Sequence, residues 1–171
     1  VNSPKFGPEL GFASKASAIQ LAGSRPIGII KHAIGASTLV DEGTTYSDWD
    51  LTATGDRRGD ALRAFKLAVA DATNKLDSAN YTYRLAGMIW WQGESGASVS
   101  DLQALISHLR DWFDANYTLD IAKANFPFVI TKIGYGTDLT PVATADNYVG
   151  IVNAGDYGHS GSQNHVGDPG D

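Results

Sequence analysis

Apolar residues recur at helical spacing in two long stretches of the chain. Over residues 59–76 they stand three, four or seven positions apart, and a second stripe starts near Ser100. Both stretches are therefore predicted to be amphipathic helices. Ser100 and Gln103 have the spacing of a capping box at the start of the second helix. The stripes consist of Leu62, Phe65, Val69 and Leu76 in the first helix, and Leu102, Leu105, Ile106, Leu109 and Phe113 in the second.

A third helix is predicted over residues 8–22. It would open with Pro8 in its first turn and with Glu9 near the positive end of the helix dipole, and both features favour a helix start. Residues 35–59 are polar and rich in turn-forming residues, so this stretch is predicted to be a long loop.

Three shorter apolar runs, at residues 27–33, 85–91 and 126–133, are predicted to be β-strands. The second run is continuous, which is typical of a strand buried on both faces. Because helices separate the strands, the pattern predicts parallel βαβ units and a three-layer α/β/α sandwich. Such sheets carry their sites in the loops just beyond the carboxyl ends of the strands. Those loops are residues 35–37, 92–95 and 134–136, and all three are rich in glycine and polar groups.

Composition excludes several classes of partner and chemistry. The 171 residues carry a net charge of −6 and show no Lys/Arg cluster, so we expect neither a nucleic acid nor an anionic membrane as a partner. The absence of cysteine excludes disulfides, a thiol nucleophile and any Cys-ligated metal site. No apolar run approaches the roughly 18 residues of a membrane span.

The ends of the sequence suggest a piece of a longer protein. It opens at Val1 and stops in a polar stretch, residues 155–171, that we expect to be a loop or tail. We therefore predict one partial domain over residues 1–171, incomplete at both ends.

The segment after the second predicted strand carries an amide, a glycine and a carboxylate. Gln92 offers two N–H donors at the strand tip, and Gly93 lets the backbone turn sharply beside a ligand. Glu94 can fix the orientation of that amide. An amide donor held in this way is one means of building an oxyanion hole. The alternative is a tight turn whose polar groups satisfy only one another.

Two further segments carry candidate chemistry. Gly35 follows the first predicted strand, where a bare backbone N–H can face a reacting oxygen, whereas the nearby His32 is expected to be structural. Asp156 stands three residues before His159, a spacing that can hold an imidazole in the tautomer a general base requires. With His165 in the same tail, a loose metal site or a solvated tail is the alternative.

Ser95 raises the question of a nucleophile. It follows a strand and precedes a helix, which approaches the G-x-S-x-G nucleophile elbow. However, position 97 is Ala97, and the predicted helix starts about four residues later, whereas an elbow feeds its helix almost at once. Ser37 follows its strand less directly and is a weaker candidate.

Taken in order, these segments resemble the SGNH-hydrolase superfamily, and within it the branch of carbohydrate esterase family 6 and the sialate O-acetylesterases. The most specific match is residues 91–95, which resemble a W-x-Q-G-E block. Residues 6–13 resemble the G-P-E segment of that branch, and residues 31–39, followed by Trp49, resemble its second block. The helix and strand that contain residues 109–110 and 126–130 match as well, so the resemblance covers most of the chain.

This resemblance implies a fold, an activity and residue roles. The fold is a three-layer α/β/α sandwich with a parallel sheet, and the activity is removal of acetyl groups from sugars such as acetylated xylan or O-acetylated sialic acid. It implies a serine nucleophile, a D-x-x-H pair and no metal or other cofactor. Gly35 and Gln92 would donate hydrogen bonds to the oxyanion, and Glu94 would act through these donors. Ser95 would belong to the W-x-Q-G-E block and would not attack the substrate.

The chain departs from the family pattern in two places. The serine normally lies in a G-Q-S-N segment well before G-P-E, and no such segment occurs, so we expect the nucleophile to lie outside this chain and the chain alone to be inactive. The D-x-x-H pair normally follows another helix and strand and precedes a closing helix. Only a short span separates Tyr135 from Asp156, so either Asp156 and His159 are the catalytic pair or the true pair lies beyond Asp171.

Two other hypotheses remain open. One is a carbohydrate-binding or scaffold domain without catalysis, in which aromatic side chains stack on sugar rings. The other is an α/β-hydrolase that uses Ser95. For the esterase, the expected partner is an acetylated carbohydrate and the expected location is secreted or periplasmic. The candidate stacking residues are Trp49, Trp90, Trp91 and Tyr135.

Overall fold

The computed structural model describes residues 8–18, 25–35, 37–40, 47–51, 59–91, 98–132 and 137–153. They belong to two compact units, Val1–Ala33 and Ile34–Asp171. In the first unit, helix α1 spans Pro8–Ala18, which confirms the predicted start at Pro8.

The strand predicted over residues 27–33 is wrong. This segment of the first unit contains no assigned strand, and Ile27, Ile29 and Ile30 are each more than a third exposed. An extended apolar segment becomes a strand only when a neighbour completes its hydrogen-bond ladder. Within the described part of the chain, no strand pairs with it.

The second unit is built around a small parallel sheet. Strand order is β1-β2-β3, with β2 in the centre and both pairs parallel, so the predicted α/β class with a parallel sheet is confirmed. A 3-10 helix at Lys123–Asn125 precedes β2. The elements are α2 (Asp60–Ser78), β1 (Met88–Trp90), α3 (Val99–Asn116), β2 (Phe128–Lys132), α4 (Thr140–Ala145) and β3 (Val149–Asn153).

The two faces of the sheet differ in burial. In register, Met88 pairs with Phe128 and Phe128 with Val149, and this face packs on the core formed with α2 and α3. On the opposite face Ile89 is 52% exposed. The expectation that residues 85–91 form a strand buried on both faces is therefore wrong, because in the described residues the helices of this unit contribute to a single core.

Both long helices form where the stripes predicted them. All the predicted stripe residues are buried except Leu76, which is half-buried. Aromatic rings join the two helices and the sheet: the ring centroids of Phe65 and Phe113 lie 6.3 Å apart, and those of Phe113 and Phe126 lie 5.2 Å apart. The stripes therefore meet in one core.

The start of α3 differs from the prediction. Ser98, in an extended conformation, is the N-cap, and its hydroxyl accepts a hydrogen bond from the Asp101 N–H at 3.1 Å. The cap predicted at Ser100 and Gln103 is wrong, because the helix already begins at Val99. An acidic Asp101 in the first turn is also favourable beside the helix dipole.

Helix α4 and strand β3 were not predicted from the pattern. Six-residue α4 has Pro141 in its first turn and buries Val142, so it offers no helical stripe to recognise. In β3, Gly150 and the 37% exposed Ile151 interrupt the alternation expected of a strand. Together these elements fill most of the span between the third predicted site loop and Asp156.

A polar contact crosses from α2 to α3. The Lys66 ammonium lies 2.8 Å from His108 Nε2 and 5.4 Å from the centroid of the Trp112 ring. A protonated lysine can only donate, so Nε2 accepts and the imidazole is neutral. Burial, and then the positive charge of Lys66, lower the pKa of His108, although Asp111 opposes this.

This contact predicts a pH dependence of stability. Because the folded pKa of His108 lies below its ordinary value of 6.5, the unfolded chain binds the proton more readily. The stability that the neutral His108 contributes to the fold is therefore present above about pH 6.5, and it is lost as the pH falls through the folded pKa. We expect the thermal midpoint to fall from pH 7.5 to pH 5, and to fall less in His108→Gln. Equal slopes in the two proteins would contradict this.

Candidate functional site

The candidate loops after β1 and β2, and the segment with Asp156 after β3, follow strands that end at one edge of the sheet, whereas residues 35–37 follow no assigned strand. Parallel strands β1, β2 and β3 end at Trp90, Lys132 and Asn153, so their carboxyl ends share an edge, which we call the carboxyl edge. In the sequence, Gln92 comes two residues after β1 and Asp156 three residues after β3.

Most of the predicted site side chains lie outside the described residues. These are Gln92, Glu94, Ser95, Asp156 and His159. The structure describes the strand ends that lead into these loops, and it also describes Gly35.

The order of elements before Asp156 matches the family pattern better than the sequence suggested. Helix α4 and then strand β3 precede this residue, where only a short span had been expected to fit. Asp156 therefore comes after a helix and a strand, and its assignment with His159 as the catalytic pair stays a prediction.

Gly35 lies in an exposed turn. Its φ is not in the left-handed region, and a Cβ added to it would meet no heavy atom of the described residues within 4 Å. Neither backbone strain nor packing in the described residues explains a glycine here.

The Ser37 hydroxyl spans the Gly35 turn. It donates a hydrogen bond to the Ile34 carbonyl at 3.2 Å and accepts one from the Trp49 indole Nε1 at 3.2 Å. A serine occupied in this way is a structural group, so its weak candidacy as a nucleophile is not supported.

A short bridge joins the Gly35 turn to the loop that carries Trp49. Thr38 and Asp48 form a parallel bridge, in which the Thr38 N–H donates to the Ser47 carbonyl and the Trp49 N–H donates to the Thr38 carbonyl, each at 3.0 Å. Apart from this bridge, the described residues of the predicted 35–59 loop contain no helix or strand, in agreement with the prediction.

The Trp49 loop is anchored in turn to the start of α2. The buried Asp48 carboxylate accepts hydrogen bonds from the N–H groups of Gly59 and Asp50. Gly59 has a φ of 64°, a left-handed conformation that glycine adopts without steric cost, and it precedes the first residue of α2. The Asp60 carboxylate accepts from the Ser47 hydroxyl at 3.1 Å. The loop therefore has a defined place against the helix.

Trp49 and Trp90 form the contact between that loop and β1. Their ring centroids are 4.6 Å apart in an edge-to-face arrangement, and Phe65 lies 5.8 Å from Trp49 on another side. Both indoles are buried, with 6% and 4% exposure, and are therefore unavailable to stack on a sugar. Of the four candidate stacking residues, Trp91 is 41% exposed and Tyr135 lies outside the described residues.

A buried threonine fixes the end of β1. The Thr131 hydroxyl on β2 donates to the Trp90 carbonyl at 2.9 Å, two residues before Gln92. Within the described part of the chain, Trp90 Nε1 has no hydrogen-bond partner.

His32 and Lys31, which the sequence placed near the first site loop, belong to the first unit. His32 is half-buried, and burial lowers its pKa, which favours the neutral imidazole. Lys31 is exposed. The structural role expected for His32 remains a prediction.

The opposite edge of the sheet carries a cavity of about 430 Å³, lined in part by Arg110, Lys123 and Asp146. These residues precede or flank the amino ends of β2 and β3, away from the candidate loops. Arg110 is committed there to hydrogen bonds with Phe126 and Asp146. Among the described residues, the cavity therefore lies at the amino ends of β2 and β3, opposite the carboxyl edge.

The described residues contain neither a metal-binding cluster nor a membrane-spanning helix. No three His, Cys, Asp or Glu side chains come together as a metal-binding group in this part of the chain. None of the helices described has the length and apolar character needed to cross a bilayer.

Comparison with known proteins yields one match. Residues 1–170 match the model of a family described as "Carbohydrate esterase, sialic acid-specific acetylesterase". Neither the curated proteins nor the solved structures contain a match to this chain.

Proposed function

The chain belongs to the sialic acid-specific acetylesterase family of carbohydrate esterases, and from this premise we propose that it forms the oxyanion-binding and proton-transfer part of a serine esterase that deacetylates carbohydrates. The attacking serine is contributed from outside these 171 residues. We call the natural chain that includes the segment carrying this serine the full-length protein.

In this mechanism the serine hydroxyl attacks the carbonyl carbon of a sugar acetate. His159, oriented by Asp156, takes the hydroxyl proton and passes it to the sugar oxygen as the C–O bond breaks. Water then attacks the acetyl-enzyme with the same histidine as base, which releases acetate and restores the serine. The oxyanion of each tetrahedral intermediate accepts hydrogen bonds from Gly35 N–H, the Gln92 amide and the serine's own N–H. Glu94 would orient the Gln92 amide.

The observation that carries the proposal is the common edge at which β1 and β3 end. Each leads within two or three residues into a segment with the required chemistry, Gln92 after one and Asp156 after the other. The Trp49–Trp90 contact additionally links the Gly35 turn to the end of β1. Acetylated xylan and O-acetylated sialic acid are the proposed substrates, and a secreted or periplasmic location suits an enzyme that acts on such carbohydrates.

Replacing Gln92 with alanine tests the oxyanion role. In the full-length protein we expect kcat for an acetyl ester to fall on the order of 100- to 1000-fold, because one preorganised donor is lost. The thermal midpoint should hardly change. The measurement is steady-state hydrolysis beside thermal unfolding.

Gln103→Ala is the matched control, since it removes the same amide from an exposed position on α3. It should leave kcat within about twofold. An unchanged rate in Gln92→Ala would remove Gln92 from the mechanism.

The isolated chain tests where the nucleophile lies. We expect the 171 residues alone to show no acetyl-ester turnover and no labelling by a fluorophosphonate, because the attacking serine is missing. Turnover that is abolished by Ser95→Ala would instead support the α/β-hydrolase hypothesis with Ser95 as nucleophile.

A further inference from the structure

We infer that Ser37 and Trp49 are positioning residues that hold the Gly35 N–H in a fixed direction relative to the end of β1. The inference rests on the proposed function, in which that N–H binds the oxyanion. It concerns residues to which the proposed mechanism gives no role.

We call the pair Ser37 and Trp49 the brace, and the need for it follows from the exposure of Gly35. An oxyanion donor is effective when it is already aimed at the place where charge develops, because no reorganisation is then needed during the reaction. Gly35 has no side chain to pack, and a Cβ there would meet open space. Its direction must therefore be set by neighbouring groups.

Ser37 acts on the same peptide plane as the Gly35 N–H. The Ile34 carbonyl and the Gly35 N–H belong to one trans peptide unit, in which the two groups point in opposite directions. The Ser37 hydroxyl donates to that carbonyl at 3.2 Å, so it fixes the rotation of the plane and hence the direction of the N–H. A hydrogen bond to the carbonyl also polarises the peptide, which strengthens its N–H as a donor.

Trp49 fixes the serine in turn. Its indole N–H donates to Ser37 Oγ at 3.2 Å, which directs the serine's own proton away from the indole and towards the Ile34 carbonyl. The Trp49 ring packs edge-to-face on Trp90, and the Trp90 carbonyl is held by the Thr131 hydroxyl. This series of contacts therefore connects the Gly35 peptide to Trp90, which lies two positions before Gln92 in the sequence.

The geometry requires a group that donates and accepts at once. Alanine at position 37 would lose both hydrogen bonds, whereas threonine would keep a hydroxyl with the same capacity. Phenylalanine at position 49 would keep an aromatic ring against Trp90 and Phe65 but lose the indole donor. These substitutions separate the hydrogen bonds from the packing.

The first arm of the test uses the 171-residue chain and nuclear magnetic resonance. The four tryptophans give separate indole N–H signals, and Gly35 gives a backbone amide signal. In Ser37→Ala we expect the Gly35 amide to shift and hydrogen exchange of the Trp49 indole to accelerate about tenfold, the size of one net hydrogen bond. Trp49→Phe should also shift the Gly35 amide. Ser37→Thr should restore both signals.

The second arm measures kinetics of the full-length protein. Ser37→Ala should lower kcat about 10- to 100-fold, less than loss of a whole donor, and leave KM within about twofold. Ser37→Thr should recover most of the rate. Ser78→Ala is the matched control, because its hydroxyl also donates to a backbone carbonyl, that of Asn74, at an exposed helix end.

The two proposals can fail separately. If the unmodified full-length protein shows no acetylesterase turnover, the proposed function fails, and the brace is judged on the spectra alone. A Gly35 amide that does not move in Ser37→Ala overturns the brace. So does a kcat within twofold of the unmodified protein, or an equal loss in Ser78→Ala.

Discussion

Replacing His159 with alanine in the full-length protein is expected to lower kcat for an acetyl ester on the order of 10⁴-fold. The proposed role of this residue is to take the serine proton and return it to the departing sugar, and loss of one member of such a triad lowers the rate by orders of magnitude. Asp156→Asn should cause a loss of similar size, because the imidazole would then adopt the wrong tautomer. The measurement is single-substrate kinetics beside a thermal unfolding curve, which should be unchanged.

His165→Ala is the matched control for this experiment. It removes an imidazole from the same polar segment, six residues further along, and should leave kcat within about twofold. Loss of activity in His165→Ala but not in His159→Ala would reject the assigned pair. Retention of activity in both variants would place the general base beyond Asp171.

The sequence predicted the parts of the fold that depend on regular side-chain burial. Leu102, Leu105 and Leu109 on α3 are all buried, as their spacing required. The central apolar runs became β1 and β2, although shorter than predicted. Periodicity is informative there because each helix turns one face to a single core.

Other elements depend on partners that lie far away in sequence. The run at residues 27–33 is as apolar as β2, yet it lacks a neighbouring strand within the described residues and is not a strand. Conversely β3 contains Gly150 and an exposed Ile151, and it forms because β2 offers it a complete parallel partner. Local pattern cannot report whether such a partner is present.

Motifs in the sequence predicted residues of the candidate site, but they did not predict the contacts between its segments. The identities of Gly35, Gln92 and Asp156 could be proposed from motifs, because each follows a predicted or possible strand end. The contact between Trp49 and Trp90 joins residues 41 positions apart, and the Ser37 hydrogen bonds have no motif of their own. Such contacts depend on how the loop folds against β1, which leaves no periodic signal in the sequence.

Arg110→Ala is expected to destabilise the chain by about 3 kcal/mol, because it leaves a buried carbonyl without its donors and breaks a partly buried ion pair. The Arg110 side chain is 11% exposed and donates twice to the Phe126 carbonyl, at 3.0 Å and 2.9 Å, and once to Asp146. Without it, the fully buried Phe126 carbonyl loses both side-chain donors, and among the described groups the partly buried Asp146 carboxylate keeps only the hydrogen bond from the Tyr148 N–H. The contact with the Phe128 ring, 5.5 Å away, is lost as well. For a chain of this length the thermal midpoint should drop on the order of 10 °C.

Lys75→Ala is the matched control, because its ion pair with Asp71 lies in solvent and is worth at most about 0.5 kcal/mol.

The pH dependence supplies a second check. Burial alone would raise the pKa of Asp146, but hydrogen bonds from Arg110 and from the Tyr148 N–H outweigh it and hold this pKa below 3.8. A carboxylate with a depressed pKa stabilises the fold above its unfolded pKa and loses that contribution as the pH falls through its folded pKa. The difference in free energy of unfolding between the unmodified chain and Arg110→Ala should therefore become smaller from pH 7 to pH 3. A difference that stays constant would show that Arg110 stabilises the fold through packing and the Phe126 carbonyl, without Asp146.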